Sequence, residues 1–308
     1  MTRHRPVERG PISYIGPLAR QGFIRRGAES RSKSGLLLSL DAYILGDSTY
    51  FPPNEVMPKA KAAATKALQL DDMLAEAHIS LGAAKFLYEY DWPGAETEFL
   101  RAIALNPGYA YGHEQYGYYL ALRGRLDDAL AQSRIATELD PLSGLTAIDM
   151  AYSLTWQTKY AAAKGQCRNA LALDPNNWLA QFALGWIDVE TGKFNEAISE
   201  LQKARAMDSP RFVLGRLGYA YAKSGERSKA EATITELNQL SSRRYVSPYL
   251  TAMIYLGLGD NRQALDGLEK AYEARDWFLL YLKMDRIFDP LRSEPRFIAL
   301  TKKLNFEK

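Results

Sequence analysis

The sequence predicts an all-α protein, a solenoid of about six to seven stacked helix hairpins with further helices capping its C-terminus. Three observations predict it. The segments "AIALNP", "IATELDP" and "ALALDP" close at Pro107, Pro141 and Pro175, spaced by 34 and 34 residues. An alanine stands twelve residues before each such stop and recurs at Ala95, Ala129, Ala163, Ala197, Ala230 and Ala264, in steps of 34, 34, 34, 33 and 34. Alanine, leucine and tyrosine dominate, and β-branched runs are few, which favours helix over strand.

Within the period each position has a reason. A second alanine lies seven residues on, at Ala102, Ala136, Ala170, Ala204 and Ala271, with Leu237 breaking the column once. Upstream is a small residue at Gly82, Gly117, Ala151, Gly185, Gly218 and Ala252, twelve before the first alanine except in the first unit, where "YDW" adds one. Small residues let two helices approach closely, and larger ones fill the space between layers. Gly124, Gly192, Gly225 and Gly259 mark the turns between helices, where a positive φ is needed. Each unit reads as helix, glycine turn, helix and Asp/Asn-Pro stop. A lone hairpin cannot bury its apolar face, so the units must stack.

An irregular unit precedes these, with Leu38 to Leu45 as its first helix and "AKAAATKALQLDD" as its second, placing Ala60 and Ala67 in the alanine columns. Residues 1–35 carry eight Lys/Arg against two Glu and have no periodicity, and they read as a basic, disordered head. The array spans 36–276. Residues 277–308 lose the alanine columns and read as capping helices: one helix, a turn at Asp289-Pro290, and a last helix from about Glu294 to Leu304. Phe278, Leu279, Leu280, Leu282, Phe288 and Phe297 are expected to cover the last repeat.

With Tyr116, Gly117, Leu120, Ala129, Ala136 and Pro141 in place, the second unit resembles a tetratricopeptide (TPR) repeat, and the resemblance extends over roughly residues 41–276. It implies a right-handed superhelix of antiparallel helix pairs whose first helices line a concave groove. The large aromatic usual at the family's first consensus position is missing; His78, His113 and Ala147 stand there. The tail resembles the segment that closes the TPR half of bacterial multidomain regulators such as winged-helix activators and serine/threonine kinases.

Catalytic, metal and cofactor signatures are scarce. Cys167 is the one cysteine, so no internal disulfide framework exists, and a reducing, cytoplasmic setting is expected. Among the three histidines, His78 and His113 share one repeat phase with no carboxylate column beside them, and interlayer packing is their expected role. "GLGD" at 257–260 falls in a hairpin turn and not in a phosphate loop. Beyond the head the chain carries 31 Lys/Arg and 34 Asp/Glu, so no nucleic acid partner is expected. The longest apolar stretch, Gly35 to Gly46, contains Asp41 and is too short for a membrane span.

One constellation stands out. Directly after the small column come Tyr118, Tyr152, Trp186, Tyr219 and Met253, aromatic in four consecutive units. The resemblance puts this phase on the groove, together with Gln115, Asp149, Trp156, Glu190, Arg216 and Lys223. The rings either capture a partner or pack against the neighbouring helix; spacing does not separate the two. The Lys/Asn/Arg clamp that some TPR grooves use for a C-terminal carboxylate is absent, with Ile79, Ala83 and Gln115 at its phases. The expectation is a non-enzymatic scaffold without cofactor that holds a protein or peptide segment. The alternative is a regulatory module acting on a separate kinase or DNA-binding effector. Oligomeric state is left open.

Overall fold

The computed structural model describes residues 51–207 and 211–306; the basic head and the Leu38–Leu45 segment lie outside them. The first described helix, α1, spans Pro53–Leu70. Proline at its first position fits the helix start, where no intrahelical N–H bond is lost. Six hairpins follow. They are α2 and α3 (Ala75–Ala84, Trp92–Leu105), α4 and α5 (Ala110–Leu122, Leu126–Leu139), and α6 and α7 (Gly144–Trp156, Tyr160–Leu173). Then come α8 and α9 (Trp178–Glu190, Phe194–Met207), α10 and α11 (Arg211–Lys223, Arg227–Ser241), and α12 and α13 (Pro248–Gly257, Asn261–Glu273). No strand occurs among the described residues.

Each column packs as its chemistry requires. All six alanines of the first column are fully buried, and Leu237 is fully buried where it replaces alanine in the second. A Cβ added at Gly185 would come within 2.6 Å of Leu201, and one at Gly218 within 2.4 Å of Ile254. Those glycines therefore set how closely the helices meet. The turn glycines 124, 192, 225 and 259 all take positive φ, from 71° to 87°. Thr158 holds the same phase in the third unit and is driven to φ 59°. Its turn bonds, Thr158 N–H to Thr155 O (2.9 Å) and Lys159 N–H to Leu154 O (2.9 Å), repeat those of Gly124 and Arg125.

The extra residue of the first unit is absorbed by a π-helical turn at Lys85–Glu89, one turn before the "YDW" where sequence spacing put it. Tyr90 then leaves the helix with φ 57°. In place of the interlayer packing expected of them, His78 and His113 make hydrogen bonds within their own units, and His78 meets a carboxylate. The His78 ring bridges Glu98 Oε2 (2.7 Å) and the Asp72 carbonyl (3.0 Å). The His113 ring bridges Gln132 Oε1 (2.7 Å) and the Pro107 carbonyl (3.0 Å). Each ties a preceding loop to its own hairpin. Cys167 is buried, which pushes its thiol up to about 12 and leaves it unreactive.

The tail departs from expectation. In place of one long helix it forms two 3-10 helices, Trp277–Lys283 and Arg286–Leu291, and then α14 (Pro295–Lys303). Asp276 and Asp285 cap the two 3-10 helices by accepting from Phe278 N–H (2.9 Å) and Ile287 N–H (3.3 Å). The α14 helix does cover the last hairpin, with Arg296 paired to Asp266 and Glu269 of α13 at 2.7 Å each. The 3-10 segments instead pack against first helices of the hairpins and reach the π turn of the first hairpin.

The two ends of the described array also meet. Tyr90 stacks on Tyr272 of α13 at 6.1 Å, and Arg275 lies 5.1 Å over the Tyr90 ring. Asn54 Nδ2 donates to the Glu273 carbonyl at 3.3 Å. First and last hairpins thus close a circuit around the tail.

Candidate functional site

The first helices of the hairpins pack against their second helices, and several of the expected groove residues share one further face of these first helices. A helix places residues three, four and seven apart on one face. On α6 this aligns Asp149, Tyr152 and Trp156; on α4 it aligns Glu114 with Tyr118; on α8 it joins Trp186 to Glu190. The structure brings these side chains into one aromatic wall. Tyr152 and Trp186 lie 5.0 Å apart, Trp156 and Trp186 5.9 Å, and Tyr152 and Trp156 6.3 Å. These separations suit edge and offset ring contacts.

The wall is occupied by the chain's own tail. Tyr281 of the first 3-10 helix sits 6.1 Å from Trp156, 6.0 Å from Trp186 and 6.2 Å from Tyr118. The Tyr118 hydroxyl donates to the Tyr281 hydroxyl at 3.0 Å. Phe278 stacks on Tyr249 at 5.7 Å and meets Phe212 at 6.3 Å. Further on, the Trp92 indole N–H donates to the Leu304 carbonyl (2.8 Å) and Arg123 to the Phe306 carbonyl (2.7 Å).

The electrostatic centre is Arg216. Its guanidinium lies 4.4 Å over the Trp186 ring, so the ring's negative face meets the cation. Arg216 donates to both carboxylate oxygens of the fully buried Asp285, at 2.5 and 3.4 Å, and Tyr249 adds a hydroxyl at 3.1 Å. Glu190 Oε1 is 3.5 Å from the same guanidinium and accepts from the Trp186 indole N–H at 2.8 Å. One buried cation therefore faces two carboxylates. Burial and the neighbouring Asp285 push the Glu190 carboxyl up to about 7, against the opposing pull of Arg216.

A second acidic pair lies on α4 and α6. Burial and Asp140 push the Glu114 carboxyl up to about 7. Asp149 is raised by burial and by Glu114.

The remaining expected residues are less central. Tyr219 is nearly buried and turns its ring edge to Phe194 at 6.4 Å. Met253 is buried against Gly215, where a Cβ would come within 2.5 Å of its methyl carbon. Gln115 is half-buried on α4. Lys223 stays exposed in the last turn of α10 and joins none of these contacts. Phe278, Tyr281 and Asp285 carry the site as much as the ladder does, and nothing in the repeat spacing marks them. Among the described residues no group of three or more His, Cys, Asp or Glu is placed to hold a metal, and no helix is long and apolar enough to cross a membrane.

Comparison with known proteins agrees with this architecture. Residues 157–213 match the family described as tetratricopeptide repeat. No curated protein matches the chain. Among solved structures, a tetratricopeptide repeat protein from Parabacteroides merdae superposes with TM-score 0.55 at 12% identity, covering 90% of this chain and 100% of that one. The APC/C hetero-tetramer Cut9-Hcn1 gives TM-score 0.58 at 15% identity over 94% of this chain and 56% of that one. Human IFIT1, solved as a dimer with m7Gppp-AAAA, gives 0.57 at 15% identity over 81% and 67%. At these identities the likeness is one of fold: a TPR-like all-α solenoid.

Proposed function

We propose that the chain is a non-catalytic scaffold that holds a segment of another protein in its concave groove. The observation that carries this reading is the tail itself. The groove grips a peptide segment, residues 277–291, through ring contacts and one buried ion pair, which are the means by which interfaces generally hold an anchor. A cytoplasmic setting is part of the reading, with which the one free cysteine, Cys167, is compatible. No nucleic acid or cofactor is required. The same self-occupancy favours a second reading, in which the chain is a regulatory module for a separate kinase or DNA-binding regulator: a filled groove can be emptied on a signal.

The test places a photo-crosslinking residue at Tyr152, inside the groove, or at Leu173, which is exposed at the end of α7. Each is made in the parent chain and in a Tyr281→Ala background, and adducts are mapped to residues by mass spectrometry. The scaffold reading expects a foreign segment attached at position 152 and not at 173, with higher yield in Tyr281→Ala. Crosslinks from 152 only to residues 277–291, in both backgrounds, would sink it.

A further inference from the structure

The tail is a bound ligand whose contacts can be read as a recognition pattern. Leu279, Leu280, Leu282, Ile287, Phe288 and Leu291 bury it in the core, and three further side chains on the stretch meet the rings and the cation of the first helices. Phe278 enters the box formed by Tyr249 and Phe212, at 5.7 and 6.3 Å. Three residues later Tyr281 enters the slot between Tyr118, Trp156 and Trp186. Four residues beyond that, Asp285 delivers both carboxylate oxygens to Arg216. A buried guanidinium demands a planar acid, and the aromatic slots demand flat apolar rings.

The fit is incomplete. The Trp156 indole N–H is buried beside Tyr281 and finds no acceptor. The tail lies there as 3-10 helix, a conformation with poorer hydrogen bonds than α-helix and suited to short pieces. A segment that made the same contacts and also offered an oxygen to Trp156 would gain a hydrogen bond that the tail does not make.

We propose that the groove selects a partner segment with the tail's own pattern, an aromatic residue, a second aromatic three residues later and a carboxylate four beyond that, and that such a segment enters by exchange with residues 277–291. This rests on the scaffold reading above and gives its partner a chemistry. The occupant is a segment of another protein; its acid is paired by Arg216, and the tail is the internal competitor that sets the threshold for binding.

The experiment uses three full-length chains: the parent, Asp285→Asn and Tyr281→Ala. Each is offered a display library of random peptides a few helical turns long. The weakened tails should enrich peptides with aromatic, aromatic and acid at the spacing of Phe278, Tyr281 and Asp285. Those peptides should bind Asp285→Asn about tenfold or more tighter than the parent, and lose that affinity when their acid is changed to an amide. Tyr281→Ala leaves the Arg216 ion pair in place and carries the same comparison if circular dichroism shows Asp285→Asn to be unfolded. Enriched peptides without the spacing, or with equal affinity for parent and variants, overturn the pattern while the scaffold reading stands. Enrichment by none of the three chains overturns both. Dimers formed by mutual exchange of tails, in place of peptide binding, overturn the assignment to a foreign partner.

Discussion

Thr158 stands at a turn where four of the other hairpins use glycine, and its φ of 59° is costly for a β-branched side chain. Thr158→Gly is therefore expected to stabilise the protein by about 1 kcal/mol, read as a rise in thermal midpoint. Trp186 is 4% exposed and carries both the Arg216 contact and the Glu190 hydrogen bond. Trp186→Ala should cost about 3–5 kcal/mol in denaturant unfolding, as for a buried ring. Glu190 gives the site a pH dependence. Its carboxyl is raised to about 7 where it meets Arg216, Asp285, the Trp186 indole and, nearby, Tyr219. A raised carboxyl in the folded state means that the proton stabilises the fold. The contribution is fully present below the ordinary carboxylate range and is lost as pH rises through about 7. Glu114 acts in the same direction. The thermal midpoint should thus fall between about pH 4.5 and pH 7 and level off above, and Glu190→Gln, neutral throughout, should flatten the slope. A steeper slope in that variant would contradict the assignment.

The hairpin is the unit that local sequence encodes, and Ala129 and Ala197 mark its closest approach, both fully buried. Ala129→Leu and Ala197→Leu should each cost about 1–3 kcal/mol through overpacking, measured by denaturant unfolding. The hairpins were legible because such contacts recur: a small residue is required at fixed intervals, so alanine and glycine repeat in phase from Gly82 to Ala271. The π turn at Lys85–Glu89 was legible only as a one-residue surplus, since the chain can absorb an extra residue at any point of the turn. The positive φ of Thr158 was hidden because phase alone marks that turn, not residue type. The ladder was visible as four aromatics at one phase, but whether those rings were filled was not. Tyr281 and Asp285 lie in a segment without period, and Asp285 meets Arg216 across 69 positions of sequence. Such a meeting depends on the summed rotation of the intervening hairpins, which no short motif records.

At the scale of the whole molecule the tail is a strut between the ends of the array. It leaves α13, touches Tyr118 in the second hairpin, pairs with Arg216 in the fifth and ends on Trp92 in the first. A chain stopped before Trp277 should uncover the rings of Tyr118, Trp156, Trp186 and Tyr249 together. Stronger binding of a dye that reports apolar surface, and light scattering at lower temperature than for the parent, would show it. Unchanged dye binding would mean that the tail covers little. The meeting of Tyr90 with Tyr272 has a separate consequence. An open array of repeats resembles a zipper: each unit feels only its neighbours, and the terminal ones fray first. Joining the first hairpin to the last bends the zipper into a hoop, so that fraying either of them must also break the contact between them.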